Sequence, residues 1–60
     1  MTIVLNGVST EFSGTISALT SDRRGVAVAV NGTVVPRDTW STMELREGDA
    51  VEVLVAVQGG

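Results

Sequence analysis

The sequence contains no cysteine, no histidine and no lysine. Without Cys or His it has no disulfide, no thiol or imidazole nucleophile, and none of the usual ligands of a structural zinc site. Without Lys it cannot be linked to copies of itself through a side-chain amine. Aromatics are scarce, with one Phe, one Trp and no Tyr, and there is a single Pro. A chain of 60 residues makes one small domain, and the staples that normally reinforce such a domain are missing. No apolar run approaches the length of a membrane span, and residues 1–12 carry no charged leader or signal core. The expected location is cytoplasmic.

What is present argues for a folded, sheet-rich globule. Hydrophobic residues make up 43% of the chain, and the apolar set is rich in Val, which favours strands. Seven carboxylate residues face four basic ones, all Arg (Arg23, Arg24, Arg37, Arg46), for a net charge of −3. With no basic stripe, the charge balance disfavours nucleic acid and anionic membranes as partners. A protein with a basic surface is the better electrostatic match, and the gain falls more on association rate than on affinity.

In chain order, Met1 to Leu5 reads as a strand with Ile3 and Leu5 on one face. Asn6-Gly7 follows, a strong signal for a type I′ hairpin turn, and Val8 to Phe12 is the return strand. Thr15 is the expected N-cap of a short helix from Ile16 to about Asp22, with Ile16, Ala18 and Leu19 as its apolar face. Arg23 and Arg24 would oppose the helix dipole, and Gly25 fits a left-handed cap. The run Val26-Ala27-Val28-Ala29-Val30 fits a strand covered on both faces, or one with a face filled by alanines. Asn31-Gly32 signals a second tight turn, leading to Thr33-Val34-Val35. Pro36 ends that strand and marks an edge.

Arg37 to Thr42 reads as a polar connection carrying Trp40, with Met43 and Leu45 as further anchors. Trp40 and Met43 suit a second packing layer better than a ligand box. Arg37 has two readings, an ion pair with Asp38 or Glu44, or a partner contact. Glu47-Gly48-Asp49 is a turn, and Ala50 to Val57 is the last and longest strand. There Val51, Val53 and Val55 point one way, and Glu52, Leu54 and Ala56 the other. Glu47, Asp49 and Glu52 lie on a turn and an extended strand, so a solvated acidic rim is expected rather than a metal site. A hairpin, a helix, a second hairpin and a final strand pack most economically as an α+β domain. The helix lies across one face of a mixed four- to five-stranded sheet, with the last strand parallel to the first. This is a β-grasp arrangement, with residues 1–57 as the domain and 58–60 as an extended tail.

The last four residues are Val57-Gln58-Gly59-Gly60. Two glycines leave the backbone thin and conformationally free, able to enter a narrow partner pocket. Two readings stand side by side, a frayed end and a reactive tail. A terminal carboxyl has a pKa of about 3.5, so at neutral pH it is a poor electrophile until activated, for example by adenylation. In the reactive reading Gly60 carries the carboxyl and Gly59 provides clearance. Gln58 either hydrogen-bonds a partner or does nothing. If Val51 and Val53 face the helix, Leu54 and Ala56 lie on the open side of the sheet. With Glu52 and Val57 they form a candidate docking patch beside the tail.

Ile3-Val4-Leu5-Asn6-Gly7, Val26 to Gly32, and Val35-Pro36-Arg37 with Trp40 follow a recognisable order. Leu45, Glu47-Gly48-Asp49 and Val57-Gln58-Gly59-Gly60 continue it across nearly the whole chain. In these stretches the sequence resembles the bacterial sulfur carrier proteins of thiamine biosynthesis (ThiS), within the ubiquitin-like β-grasp group. The segment from Ser13 to Gly25 is several residues shorter than usual for that family. The resemblance implies a carrier that is not itself an enzyme and binds no cofactor or metal. A ubiquitin-activating-type adenylyltransferase (ThiF-like), using ATP and magnesium, would adenylate Gly60. A sulfur donor such as a cysteine desulfurase would convert the adenylate to a thiocarboxylate, and thiazole synthase (ThiG-like) would take the sulfur. Within the same chemistry the alternative is the small subunit of molybdopterin synthase. From other classes, the alternatives are a ubiquitin-like protein modifier and a plain interaction domain with an inert end.

Overall fold

Two Asn-Gly pairs reverse the chain, and the sheet grows out from them. In the computed structural model, which describes residues 1–21 and 23–55, Asn6 and Gly7 hold φ of 49° and 81°, and Asn31 and Gly32 hold 51° and 84°. Positive φ at both central residues is the type I′ turn, whose twist suits antiparallel neighbours. Asn6-Gly7 joins β1 (Thr2–Leu5) to β2 (Val8–Glu11). Asn31-Gly32 joins β3 (Val26–Val30) to β4 (Thr33–Val34). The last strand, β5 (Ala50–Val55), enters between the two hairpins, giving the order β2-β1-β5-β3-β4. It runs parallel to β1 and antiparallel to β3. The strand that leads toward the tail is therefore the central one, held on both sides.

The parallel pair needs a crossover, and the helix α1 (Ile16–Thr20) lies within it. Thr15 caps it as expected, its hydroxyl accepting from the Ala18 N–H at 3.2 Å. Two other N–H groups of the first turn find partners in the 40–45 segment. Ile16 donates to the Met43 carbonyl and Ser17 to the Trp40 carbonyl, each at 3.1 Å.

The helix stops earlier than its composition suggests. Ser21, not Gly25, is the left-handed C-cap, with φ 55° and its N–H donating to the Ser17 carbonyl. Gly25 also has positive φ, 77°, but in the loop beyond. Arg23 and Arg24 consequently fall outside the last turn. Inside the helix, the Thr20 hydroxyl donates to the Ile16 carbonyl at 3.0 Å, the back-bonding that makes Thr a poor continuation residue. Thr20 is buried and Ala18 is exposed, so the inner face pairs Ile16 with Thr20, not with Ala18. Asp22 lies outside the described residues.

The core is Ile3, Ile16, Val28, Val30, Val35, Trp40, Leu45 and Val51. In β3 the valines at 28 and 30 are buried while Ala27 is exposed and Ala29 half-buried, so the alanines fill the open face. Along β5, Val51 is buried, Val53 half-buried and Val55 61% exposed. These three share a face as expected, but the cover runs out. A helix of five residues is about 7.5 Å long, whereas a six-residue strand spans about 20 Å.

Trp40 is core rather than a second layer, 2% exposed. β4 ends at Val34 on the sheet edge, and Val35 turns inward ahead of Pro36 and the 3₁₀ turn Arg37–Thr39. Among the described residues no helix is long and apolar enough to cross a membrane.

Candidate functional site on the open face of the central strand

The open face is set by register. Leu54 lies opposite Ala27, Glu52 opposite Ala29, and Val34 opposite Ala29 on the other side. Leu54 is 65% exposed and Val34 71%. Because the β3 residues between them are alanines, nothing tall screens the Leu54 side chain from solvent. On β1, Val4 lies opposite Ala50 on the same face, 38% exposed. Glu52 is exposed and precedes Leu54 by one strand repeat. The face thus offers separated aliphatic side chains on a low alanine floor, with an acidic group beside them. A partner that buries such aliphatics gains roughly 25 cal/mol per Å² of apolar surface removed from water, and the carboxylate favours a basic rim opposite.

Two of the sequence-predicted docking residues, Glu52 and Leu54, share this face. Ala56, Val57, Gln58, Gly59 and Gly60 lie outside the described residues. Ala27, opposite Leu54, and Val34 and Val4, further along the same face, were not identified from sequence. The available signal was the period-two alternation of each strand, but choosing the neighbours needs the cross-strand register.

The acidic turn is engaged in bracing the chain. Glu47 Oε1 accepts from the Thr2 N–H at 2.9 Å. Asp49 Oδ2 accepts from the Arg46 N–H at 2.8 Å, and its Oδ1 from Asn31 Nδ2 at 3.1 Å. Among the described residues, no group of three or more metal-type ligands converges. Arg37 takes a place that sequence reasoning did not identify. Its guanidinium donates to the Arg23 carbonyl at 2.8 Å and lies 4.9 Å from the centre of the Trp40 ring, within cation–π range.

At the start of β1, the terminal ammonium of Met1 donates to Glu11 Oε2 at 2.9 Å, and Thr2 Oγ1 donates to Oε1 at 3.1 Å. The hydrogen bond to Glu11 raises the pKa of the amine above its ordinary value, with the Glu11 and Glu47 charges adding to it. Reciprocally, the ammonium and then the Thr2 hydroxyl lower the pKa of the Glu11 carboxyl.

A five-stranded mixed sheet with a central last strand parallel to the first, and one short helix across one face, defines a ubiquitin-like β-grasp domain. The chain belongs to the ThiS family, whose model matches residues 3–60. Its fold is similar to the crystal structure of a thiamine biosynthesis protein (ThiS) from Geobacter metallireducens. That match has a TM-score of 0.85 at 29% identity and covers all of both chains. It is also similar to the NMR solution structure of a thiamine biosynthesis protein from the same organism. There the TM-score is 0.79 at 29% identity, over all of this chain and 88% of the other. No curated protein sequence matches the chain significantly.

Proposed function

We propose that this protein is a sulfur carrier of thiamine biosynthesis, acted on by partner enzymes and not itself a catalyst. The observation that carries the reading is the ThiS family match, which runs through the Gly59-Gly60 end of the sequence. The chemistry asked of the carrier is small. Gly60 contributes a terminal carboxylate, which attacks the α-phosphorus of magnesium-bound ATP in a ubiquitin-activating-type enzyme and displaces pyrophosphate. The resulting acyl-adenylate has AMP as a good leaving group. Sulfur from a cysteine-derived persulfide replaces it, and reduction of the sulfur–sulfur bond by a thiol leaves the thiocarboxylate. Thiazole synthase then takes that sulfur.

A chain without Cys or His suits this task, because the carried sulfur sits on the main-chain carboxyl and needs no side-chain nucleophile. Gly59, lacking a Cβ, provides clearance in the activating enzyme's channel. Leu54 and Glu52, with Ala56 and Val57, are the surface by which partners recognise the carrier. Reconstitution with isotopically labelled sulfur tests the final step. Label loaded on the carrier should appear in the thiazole product when thiazole synthase and its other substrates are added. Label that stays on the carrier would contradict donation to thiazole synthase.

A further inference from the structure

Backbone pairing of β1 with β5 ends at Leu5 opposite Val51, because the chain turns away at Asn6. The last main-chain link is the Asn6 N–H to the Val51 carbonyl, 2.9 Å. Groups on one edge of a strand recur every second residue, so the next position on β5 to face this side is Val53. The Asn6 side chain meets it. Its Oδ1 accepts from the Val53 N–H at 2.9 Å, and its Nδ2 donates to the Val53 carbonyl at 3.3 Å. A carboxamide carries the same donor and acceptor as a peptide group, so this side chain substitutes for one more strand residue. Asn meets two demands together. It tolerates the left-handed backbone of the turn, φ 49°, and it brings an amide within reach. Gly would keep the turn without the amide, and Asp would place an oxygen against the Val53 carbonyl.

We propose that Asn6 is a positioning residue for the reactive tail, holding the β1 side of the central strand to Val53, seven residues before Gly60. The role rests on the carrier reading above. Without the carboxamide, the strand pairing that holds the end of β5 among the described residues is that with β3, where Val55 pairs with Val26 and Leu54 with Ala27. The direction in which the chain leaves Val53 toward Gly60, seven residues on, is then less fixed. An activating site that must receive the terminal carboxylate in a fixed geometry loses effective concentration when the approach is less directed. Such a loss falls on KM for the carrier, while kcat, set after the carboxylate is seated, holds.

Asn31 provides an internal control. It sits in the same turn geometry, φ 51°, at the opposite end of β5. Its Oδ1 accepts from the Ala50 N–H at 3.0 Å, and its Nδ2 donates to Asp49 Oδ1 at 3.1 Å. Asn31→Gly removes a similar pair of hydrogen bonds far from the tail. Both variants are compared with wild type by amide exchange at Val53 in the free protein and by pyrophosphate release with a ubiquitin-activating-type enzyme and MgATP. In Asn6→Gly, Val53 exchange should rise about tenfold. KM for the carrier should rise about tenfold, with kcat within about twofold. Asn6→Asp, which keeps an acceptor for the Val53 N–H, should give an intermediate KM and covers the case that Asn6→Gly does not fold. Asn31→Gly should change none of these.

Equal KM shifts at Asn6 and Asn31, unchanged Val53 exchange or KM in the Asn6 variants, or a loss confined to kcat would overturn the positioning role alone. Absence of pyrophosphate release with wild type would overturn the carrier reading, and the role of Asn6 with it.

Discussion

Trp40 donates its indole N–H to the carbonyl of Val35, 3.0 Å away, and both residues are buried. The bond ties the 3₁₀ turn back onto the segment leaving the edge strand, while the ring fills the centre of the core. Trp40→Phe keeps a ring but leaves the Val35 carbonyl without this donor, an expected cost of about 1–3 kcal/mol. Trp40→Ala should cost about 3–5 kcal/mol, comparable with the whole stability of a domain this small. Urea denaturation followed by far-UV circular dichroism measures both. A Trp40→Phe protein as stable as wild type would show that the hydrogen bond contributes little.

Ser21 closes the helix in a left-handed conformation, φ 55° and ψ 33°. That conformation costs an L-residue about 1–2 kcal/mol, while Gly adopts it freely and loses part of the gain through its more flexible unfolded state. Ser21→Gly should therefore stabilise the protein by about 0.5–1 kcal/mol, raising Tm by roughly 2–8 °C. A lower Tm would mean that the Ser21 side chain contributes more than its backbone strain costs.

The pair formed by the Met1 ammonium and Glu11 predicts a pH dependence with two flanks. The carboxyl pKa is lowered on folding, so its contribution is present above the ordinary value near 4.5 and lost as pH falls through the lowered one. The amine pKa is raised, so its contribution is complete below the ordinary value near 8.0 and lost as pH rises through the raised one. Both groups are exposed, so each flank is shallow and screened by salt. Thermal melts of wild type and Glu11→Gln from pH 3 to 10 should differ most between about pH 5 and 8. A constant difference across the range would refute the assignment.

Much of the fold was legible in the sequence because its cues are local. Asn-Gly dictated both hairpins, Thr15 its cap, and the alternation in β5 the opposite facing of Val51 and Leu54. The errors arose where tertiary context decides. Gly25 is the better left-handed residue in isolation, yet the helix ends at Ser21, after a Thr20 that is buried against the core. Trp40 reads as a second packing layer because nothing local shows that it joins Ile16 and Leu45 in one core. At the candidate site, Leu54 and Glu52 followed from strand period alone. Ala27 and Val34 needed the register between strands, and the Asn6–Val53 bonds join residues 47 positions apart, a distance no local pattern spans.

Leu54 separates recognition from stability. It is 65% exposed on the open face, so Leu54→Asp should change stability by no more than about 0.5–1 kcal/mol. If this face docks the activating enzyme, the same change should weaken binding by about tenfold or more, measured by calorimetry. Unfolding of the variant would make Leu54 structural, and unchanged affinity would move the docking surface elsewhere.

The most direct test of the central claim is the intact mass of the protein after incubation with a thiamine-pathway activating enzyme, MgATP, a cysteine desulfurase, cysteine and a thiol reductant. The expected result is a gain equal to the exchange of one oxygen for sulfur, absent when Gly60 is deleted. An unchanged mass with demonstrably active partners, or a gain that survives deletion of Gly60, would contradict it.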